Sequence, residues 1–464
     1  MSHQDYGSVG RTRCCASSLR CAIDWLASSD AFEGIAFRDD CSWNPLTLAS
    51  AALFWVWSDE ATLIDRFATA RKITQKAFRM QGELASSYQA FMKMLLRWTA
   101  TLIAVLVLKL RRRMRAKFRR HRVAGHVVFG VDGSRVELPR TKSNQKHYCP
   151  LSRVGKRRAR RRPRQGRRGK AARKKADNPQ MWITTMWHVG TDLPWDWRTG
   201  RSDSSERAHL LDMLPALPPG TLVTGDAGFI GYTYWKALQD AGHPFVIRVG
   251  SNVKLLKKLG YAREQEGLVY LWPDAVAAKT LPPLVLRLVV TAGSKHPVYL
   301  VTSVLQPKAL SDRDVTEIYW RRWGVEVFYR SFKQTFQRRK LRSHKAPHAQ
   351  VELDWSFVGL WAVCLYAQRW QDAPDRLSVA GVLRAVRRSM RHYRSQPDPG
   401  EDLPALLAHA VIDSYQRRSK SSRDYPRKKK EHPAGKPKIL HATKDQIRTA
   451  RAVKRLQAKI GLTA

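Results

Sequence analysis

The chain has 464 residues, 43% of them hydrophobic, with 84 Lys and Arg against 38 Asp and Glu and a formal net charge of +46. That hydrophobic content excludes a chain disordered along its whole length, and the length predicts two or three folded units. So large a charge exceeds what solubility needs and predicts a polyanionic partner, nucleic acid before anionic membrane.

A membrane span is not expected. The longest apolar run, WTATLIAVLVL at residues 98–108, is about half of what crosses a bilayer. It is followed at once by Lys109, Arg111, Arg112 and Arg113, and reads as a buried helix with a basic end. The first residues, MSHQDYGSVGRTRCC, contain no apolar segment or cleavage site that would predict secretion. Six cysteines (Cys14, Cys15, Cys21, Cys41, Cys149 and Cys364) are spread unevenly, which predicts a reducing compartment and no disulfide framework. The four nearest the N-terminus lack paired C-x2-C spacing and a nearby His pair, so no zinc site is expected there.

Residues 1–122 read as mostly helical. Apolar residues recur at helical spacing over 46–57 and 61–78, and 88–110 form a long helix ending in RRRMRAKFRRHR. The basic end, placed just before the next unit, points to a helical DNA-binding domain; a plain packing layer is the alternative. HVVFGV at 126–131 is interrupted by Asp132-Gly133-Ser134 and resumes as RVELP, which predicts strand, tight turn, strand. Residues 153–175 hold 14 Arg or Lys and no acid, interleaved with Gly and Pro. Such a segment cannot pack a core, and a disordered loop that contacts phosphates without reading bases is expected.

Strands are expected at 181–189 (MWITTMWHV), 221–224 (TLVT) and 243–249 (HPFVIRV). Helices are expected at 204–214, capped by Ser202 or Asp203, and at 232–241. This alternation predicts an α/β sheet with helices packed on it. From 251 to 305 the pattern changes to β-type runs at 268–272, 284–291 and 298–304, which read as an inserted β subdomain. A helix then starts near Ser311 or Asp312, with Asp314 and Glu317 in its first turns. Apolar helices at 351–370 and 379–390 are expected to cover the sheet. Past 417 the tail is basic and broken by Pro426, Pro433 and Pro437. A last helix at 444–460 repeats apolar residues at Ile447, Ala450, Val453, Leu456 and Ile460, which either pair with another chain or dock on this one.

The helix after 311 carries the most informative stretch, YWRRWGVEVFYRSFK from Tyr319 to Lys333. On one continuous α-helix, Tyr319, Arg322, Glu326 and Lys333 fall within about a 60° arc. Trp320, Trp323 and Val327 lie on a neighbouring arc that Phe328 continues, so the helix can bury one face and present a charged stripe at a cleft edge. A surface ion pair between Arg322 and Glu326 is the plainer reading. Asp132 and Asp226 each follow a strand; alone, each reads equally well as a turn residue or a helix cap. Together with Glu326 they are three carboxylates at element ends, far apart in sequence, the hard oxygen ligands that two divalent ions about 4 Å apart require. Such a site supports in-line displacement at phosphorus, which explains why so basic a chain would gather acids at one point.

VDGS around Asp132, GDAGF around Asp226 and Y-x2-R-x3-E-x6-K at Tyr319, Arg322, Glu326 and Lys333 resemble the bacterial insertion-sequence transposases of the DDE type. The branch is the one with the YREK signature and a β insertion before its glutamate, insertion-sequence family four. The resemblance covers about residues 126–370. It implies a ribonuclease-H-like core at 123–250 and 306–372 with the β insertion at 251–305, between a helical N-terminal domain (1–122) and a helical, basic C-terminal region (373–464).

The resemblance further implies that Asp132, Asp226 and Glu326 bind two Mg2+ ions, which Mn2+ can replace. Tyr319, Arg322 and Lys333 would contact DNA phosphates near the cleaved end; Arg330 reads equally as an additional phosphate contact or as part of a solvated face. Trp272, the only tryptophan of the insertion, is the candidate aromatic to stack on a flipped base, with a core tryptophan as the favoured alternative. The implied reaction is cleavage at terminal inverted repeats and attack of the freed 3′-hydroxyl on target DNA, by a homodimer in a synaptic complex, in a bacterial cytoplasm at the nucleoid. A nuclease of the same fold that does not join, and a non-catalytic DNA-binding inhibitor, are the alternatives. The 153–175 block and the cysteine-bearing N-terminus match nothing in the family's pattern.

Overall fold

A computed structural model describes residues 18–150, 178–273, 277–293, 296–371, 377–392, 402–412 and 434–462. The basic block 153–175, Cys14, Cys15, Pro426 and Pro433 lie outside the described residues.

Four helices open the chain: Ser18–Leu26 (α1), Pro45–Trp57 (α2), Leu63–Ala77 (α3) and Tyr88–Arg115 (α4). The last three start at side-chain caps, where Asn44, Thr62 and Ser87 accept from the backbone N–H of Thr47, Asp65 and Ala90. There follow β1 (Val128–Glu137), α5 (Lys142–Tyr148), β2 (Gln180–His188), β3 (Leu193–Gly200), α6 (Glu206–Met213), β4 (Leu222–Gly225), α7 (Tyr232–Asp240), β5 (Phe245–Val249), β6 (Lys254–Lys257), β7 (Leu268–Leu271), β8 (Leu284–Thr291) and β9 (Val298–Thr302). The chain continues with α8 (Asp312–Arg321), α9 (Gly324–Arg330), a π-helical turn (Ser331–Thr335), α10 (Ala346–Ala367), α11 (Val379–His392), α12 (Leu403–Ala408), β10 (Lys438–His441) and α13 (Lys444–Leu462).

The strands form one mixed sheet in the order β10-β6-β7-β8-β9-β5-β4-β1-β2-β3. β1 runs antiparallel to β2 and parallel to β4, and β4 parallel to β5. The strands of 251–305 have no separate sheet: β9 pairs antiparallel with β5 and carries them onto the edge of the central one.

Two expectations are corrected here. Asp132-Gly133-Ser134 is not a turn but the middle of β1, and its register with β2 is unbroken from Phe129↔His188 to Glu137↔Gln180. An Asp-Gly pair makes a hairpin only when the flanking runs pair with each other; here both pair with β2. The cap of α6 is Ser205, which accepts from the N–H of Ala208, rather than Ser202 or Asp203.

α10 is buried almost all round, with Trp355 and Trp361 at its centre, as befits a helix sandwiched between layers. Trp57 of α2 donates Nε1–H to Gly359 O at 2.9 Å, Trp355 donates to Thr99 Oγ1 at 2.9 Å, and Trp197 of β3 donates to Asp354 at 2.9 Å. The N-terminal helices and the sheet therefore share a single hydrophobic core through α10. Contact is closest at Gly359, where a Cβ would lie 2.7 Å from Val56 and 3.1 Å from the Trp57 indole nitrogen. Gly359→Ala should destabilise the chain by about 1–3 kcal/mol through forced separation of the two helices; an unchanged denaturant midpoint would contradict that close packing.

α4 is long and apolar enough to cross a membrane by length and composition. One face (Leu95, Leu102, Leu106, Leu110, Met114) is buried, whereas Leu96 and Leu108 are 41% and 68% exposed, so the helix read as buried is only half so. α13 docks on this same chain, burying Ala450 and Val453, with Ala450 in a small second core beside Leu259, Leu268 and Tyr270.

Candidate active site

The sheet sets the two aspartates side by side. β1 and β4 are parallel with Gly130 opposite Thr224, so two residues further along each chain stand Asp132 and Asp226. β4 ends at Gly225 while β1 runs on, which leaves Asp226 on a loop and Asp132 on a firm strand. Asp226 accepts from the N–H of Gly228 at 2.7 Å.

Over this pair lies the segment that carries Glu326. Ser311 and Asp314 form a capping box that starts α8. The stretch from Tyr319 to Lys333 is not one α-helix, however. It breaks at Arg322 and Trp323, where the N–H groups of Val325 and Glu326 bond three residues back, and it ends in the π turn. The break alters which side is covered: Tyr319 and Arg322 are buried, at 4% and 6% exposure, while Trp320, Trp323 and Val327 face outward at 45%, 52% and 44%. The apolar arc expected to pack is therefore the outer one, because the buried face is taken by Tyr319, Arg322, Phe328 and Tyr329.

Tyr329 fixes this segment to the sheet. Its hydroxyl lies 2.9 Å from Thr185 Oγ1 and 3.0 Å from the carbonyl oxygen of Asp132, and Thr185 is the β2 partner of Asp132. Glu326, one turn before Tyr329, is thus held over the aspartates. The Arg322–Glu326 pair that the spacing allowed is present at 3.6 Å, with Arg322 buried.

The electrostatics show how close the groups are. Burial pushes Asp132 up to about 7; Arg322 opposes the rise, and Asp226 and Glu326 add to it by like-charge repulsion. A fourth acid, Glu206 at the start of α6, is pushed up to about 7 by burial and by Asp132 and Asp226. No motif in the sequence pointed to Glu206 or Tyr329. The signal for the first was available only as an acid at the first position of a capped helix; for the second there was none.

The remaining residues singled out in the sequence fall as follows. Tyr319 lies under the guanidinium of Arg322, 5.5 Å from its ring centre, and its hydroxyl is 3.5 Å from Arg248. Lys333, on the π turn, donates to Ser134 Oγ at 2.6 Å, two residues along β1 from Asp132. It also lines a cavity of 840 Å3 with Arg140, Arg339, Lys340, Arg342 and His344. Arg330 is exposed at the end of α9. Trp272 donates to Leu281 O at 2.9 Å and packs against the small second core, away from the carboxylates.

Among the described residues no three His, Cys, Asp or Glu side chains stand close enough to hold a metal ion as they are; Glu326 is turned to Arg322 instead. The donor chemistry nevertheless fits a hard divalent cation, since the ligating groups are all carboxylates carried on a strand, a strand end and a helix. Burial is the main cause of the rise at Asp132, and a cation among the acids would offset both that burial and the smaller repulsion from Asp226 and Glu326.

The family model described as the transposase DDE domain matches residues 123–361, more than half of the chain. The chain belongs to that family, and it is a DDE transposase. No curated protein matches it. Among solved structures, the cryo-EM structure of the piggyBac transposase synaptic complex with hairpin DNA aligns with 89% of this chain and 90% of its own, at a TM-score of 0.41 and 11% sequence identity.

Proposed function

We propose that this protein is the transposase of a bacterial insertion sequence of the YREK branch, which cleaves DNA at the element's ends and joins the freed 3′-hydroxyl to target DNA. The observation that carries the reading is that parallel β1 and β4 set Asp132 and Asp226 side by side, near Glu326 and a buried Arg322, inside the residues that the DDE family model matches. The strand order β3-β2-β1-β4-β5, with only β2 antiparallel to both neighbours, supports a ribonuclease-H-like core.

Asp132, Asp226 and Glu326 would hold two Mg2+ ions, or Mn2+ in their place. When bound, the ions activate the attacking oxygen and stabilise the leaving one. Everything else falls to the chain. Arg322 presents a buried guanidinium to the scissile phosphate, Tyr319 supports it from beneath, and Lys333 holds the next phosphate at the rim. The cavity lined by Lys333, Arg339, Lys340 and Arg342 gives the strand a basic path away from the acids. Arg330, exposed at the end of α9, is a further phosphate contact, whereas Trp272, packed on the small second core with its indole N–H bonded to Leu281 O, serves that core rather than a flipped base. The basic end of α4 belongs to a helical domain, residues 1–122, that recognises the terminal repeats, and the active form is a homodimer on two ends at the bacterial nucleoid.

The test is joining. Incubated with Mg2+, a precut end and a target plasmid, the protein should give joined product; cleavage of uncut ends with no joining would assign it as a nuclease instead. The inverted repeats needed for the substrate are to be sought in the DNA flanking the gene, and their absence there would count against the reading. Lys333→Ala should weaken end binding and lower the slope of log affinity against log salt by about one phosphate contact. An unchanged slope would remove Lys333 from the DNA interface.

A further inference from the structure

Glu206 lies outside every motif above, yet two glycines make room for it within the acidic cluster. A Cβ on Gly133 would stand 2.2 Å from Glu206 Oε1 and 2.6 Å from the Trp182 ring. One on Gly228 would stand 2.9 Å from Asp226 Oδ1 and 3.5 Å from Glu206 Oε2. One oxygen of Glu206 thus lies on the backbone next to Asp132, and the other faces the same point as Asp226. Any side chain at 133 would expel it. Gly133 of VDGS and Gly228 of GDAGF therefore both make room for Glu206.

Arg135 and Arg207 act on the Glu206 carboxyl but only partly offset its burial and the charges of Asp132 and Asp226. Arg135 lies over the Trp182 ring at 4.5 Å, and Arg207 donates to Gly228 O at 2.7 Å. A separate observation also points to a ligand at this place. The Thr224 and Arg322 side chains flank Gly130, at 3.8 and 3.4 Å from its Cβ position, on the face that carries Asp132. Thr224 is fully buried and Arg322 is 6% exposed, yet neither Thr224 Oγ1 nor Arg322 Nε has a hydrogen-bond partner. Buried polar atoms left open in this way are satisfied when an oxygen-bearing ligand or its water enters.

We infer that Glu206 is a fourth carboxylate of this site and binds a divalent cation together with Asp132 and Asp226. The inference rests on the reading of the site as a cation site, and Mn2+ binding to the full chain, without DNA, separates the two. Glu206→Gln should weaken Mn2+ binding about tenfold or more in calorimetry, as Asp226→Asn should, while Asp212→Asn at the far end of α6 leaves it unchanged. In EDTA, Glu206→Gln should unfold at the wild-type temperature or above, since one of several mutually repelling acids has gone, so the loss of binding is not a loss of fold. Glu206→Asp keeps the charge and withdraws the carboxylate by one methylene; it too should bind Mn2+ more weakly, and it decides the matter if the Gln variant does not fold. Wild-type affinity in the Glu206 variants with loss in Asp226→Asn overturns this inference and leaves the cation site standing. Wild-type affinity in both Asp226→Asn and Asp132→Asn overturns the cation site itself.

Discussion

Glu326→Gln should lower DNA cleavage by roughly a thousandfold, the equivalent of about 4 kcal/mol of transition-state stabilisation, and leave binding to DNA ends nearly unchanged. The substitution keeps the shape of a side chain that is 36% exposed and removes its charge. The buried Arg322 loses one of its two acidic neighbours but retains Asp132, whose charge it already opposes, so the segment from α8 to the π turn should keep its place. Binding depends on phosphate contacts from the many cations of the chain, and one carboxylate contributes little to it. Cleavage at the wild-type rate would remove Glu326 from the reacting centre.

The second large effect concerns pH. Asp132 is held at about 7 in the folded chain against an ordinary 3.8. Between these values the folded chain keeps a proton that the unfolded chain has released, so stability falls as pH rises from about 4 to about 7 and levels off above. Asp132→Asn removes this term. In EDTA, the variant should gain stability relative to wild type across that window, on the order of 3 kcal/mol by its upper end. Denaturant unfolding at a series of pH values checks it; parallel curves for the two proteins would show that Asp132 ionises normally. Added Mn2+ should reverse the trend for wild type, because a cation selects the ionised carboxylates and its affinity grows as they lose their protons.

How much of this was legible beforehand differs from element to element. The strands at 181–189, 221–224 and 243–249 were readable because each is a short apolar run closed by turn residues, and the helix start at Ser311 because its cap is local. β3 was not, since LPWDWRTG opens next to a proline and mixes charged with aromatic residues along an edge strand. The helix break at Arg322 and Trp323 was equally hidden: the local sequence is that of a continuous helix, and the break follows from seating Arg322 and Tyr329 on the sheet. β1 was misread as a hairpin because the Asp-Gly signal is local, whereas the partner that holds it straight lies some fifty positions later in the chain.

The sequence by itself determined the α/β class and the strongly basic charge, and brought forward Asp132, Asp226, Glu326, Tyr319, Arg322 and Lys333 as candidates, because residue type, spacing and local caps are properties of neighbouring positions. Only the tertiary structure decided that Asp132 lies mid-strand, that Trp320 and Trp323 face outward, and that Glu206 joins the acids. Those facts depend on which distant strands align and on which backbone positions lack a side chain at the point of closest approach. In particular, the lack of a side chain at Gly133 has meaning only once α6 has been packed against it and Glu206 takes that place.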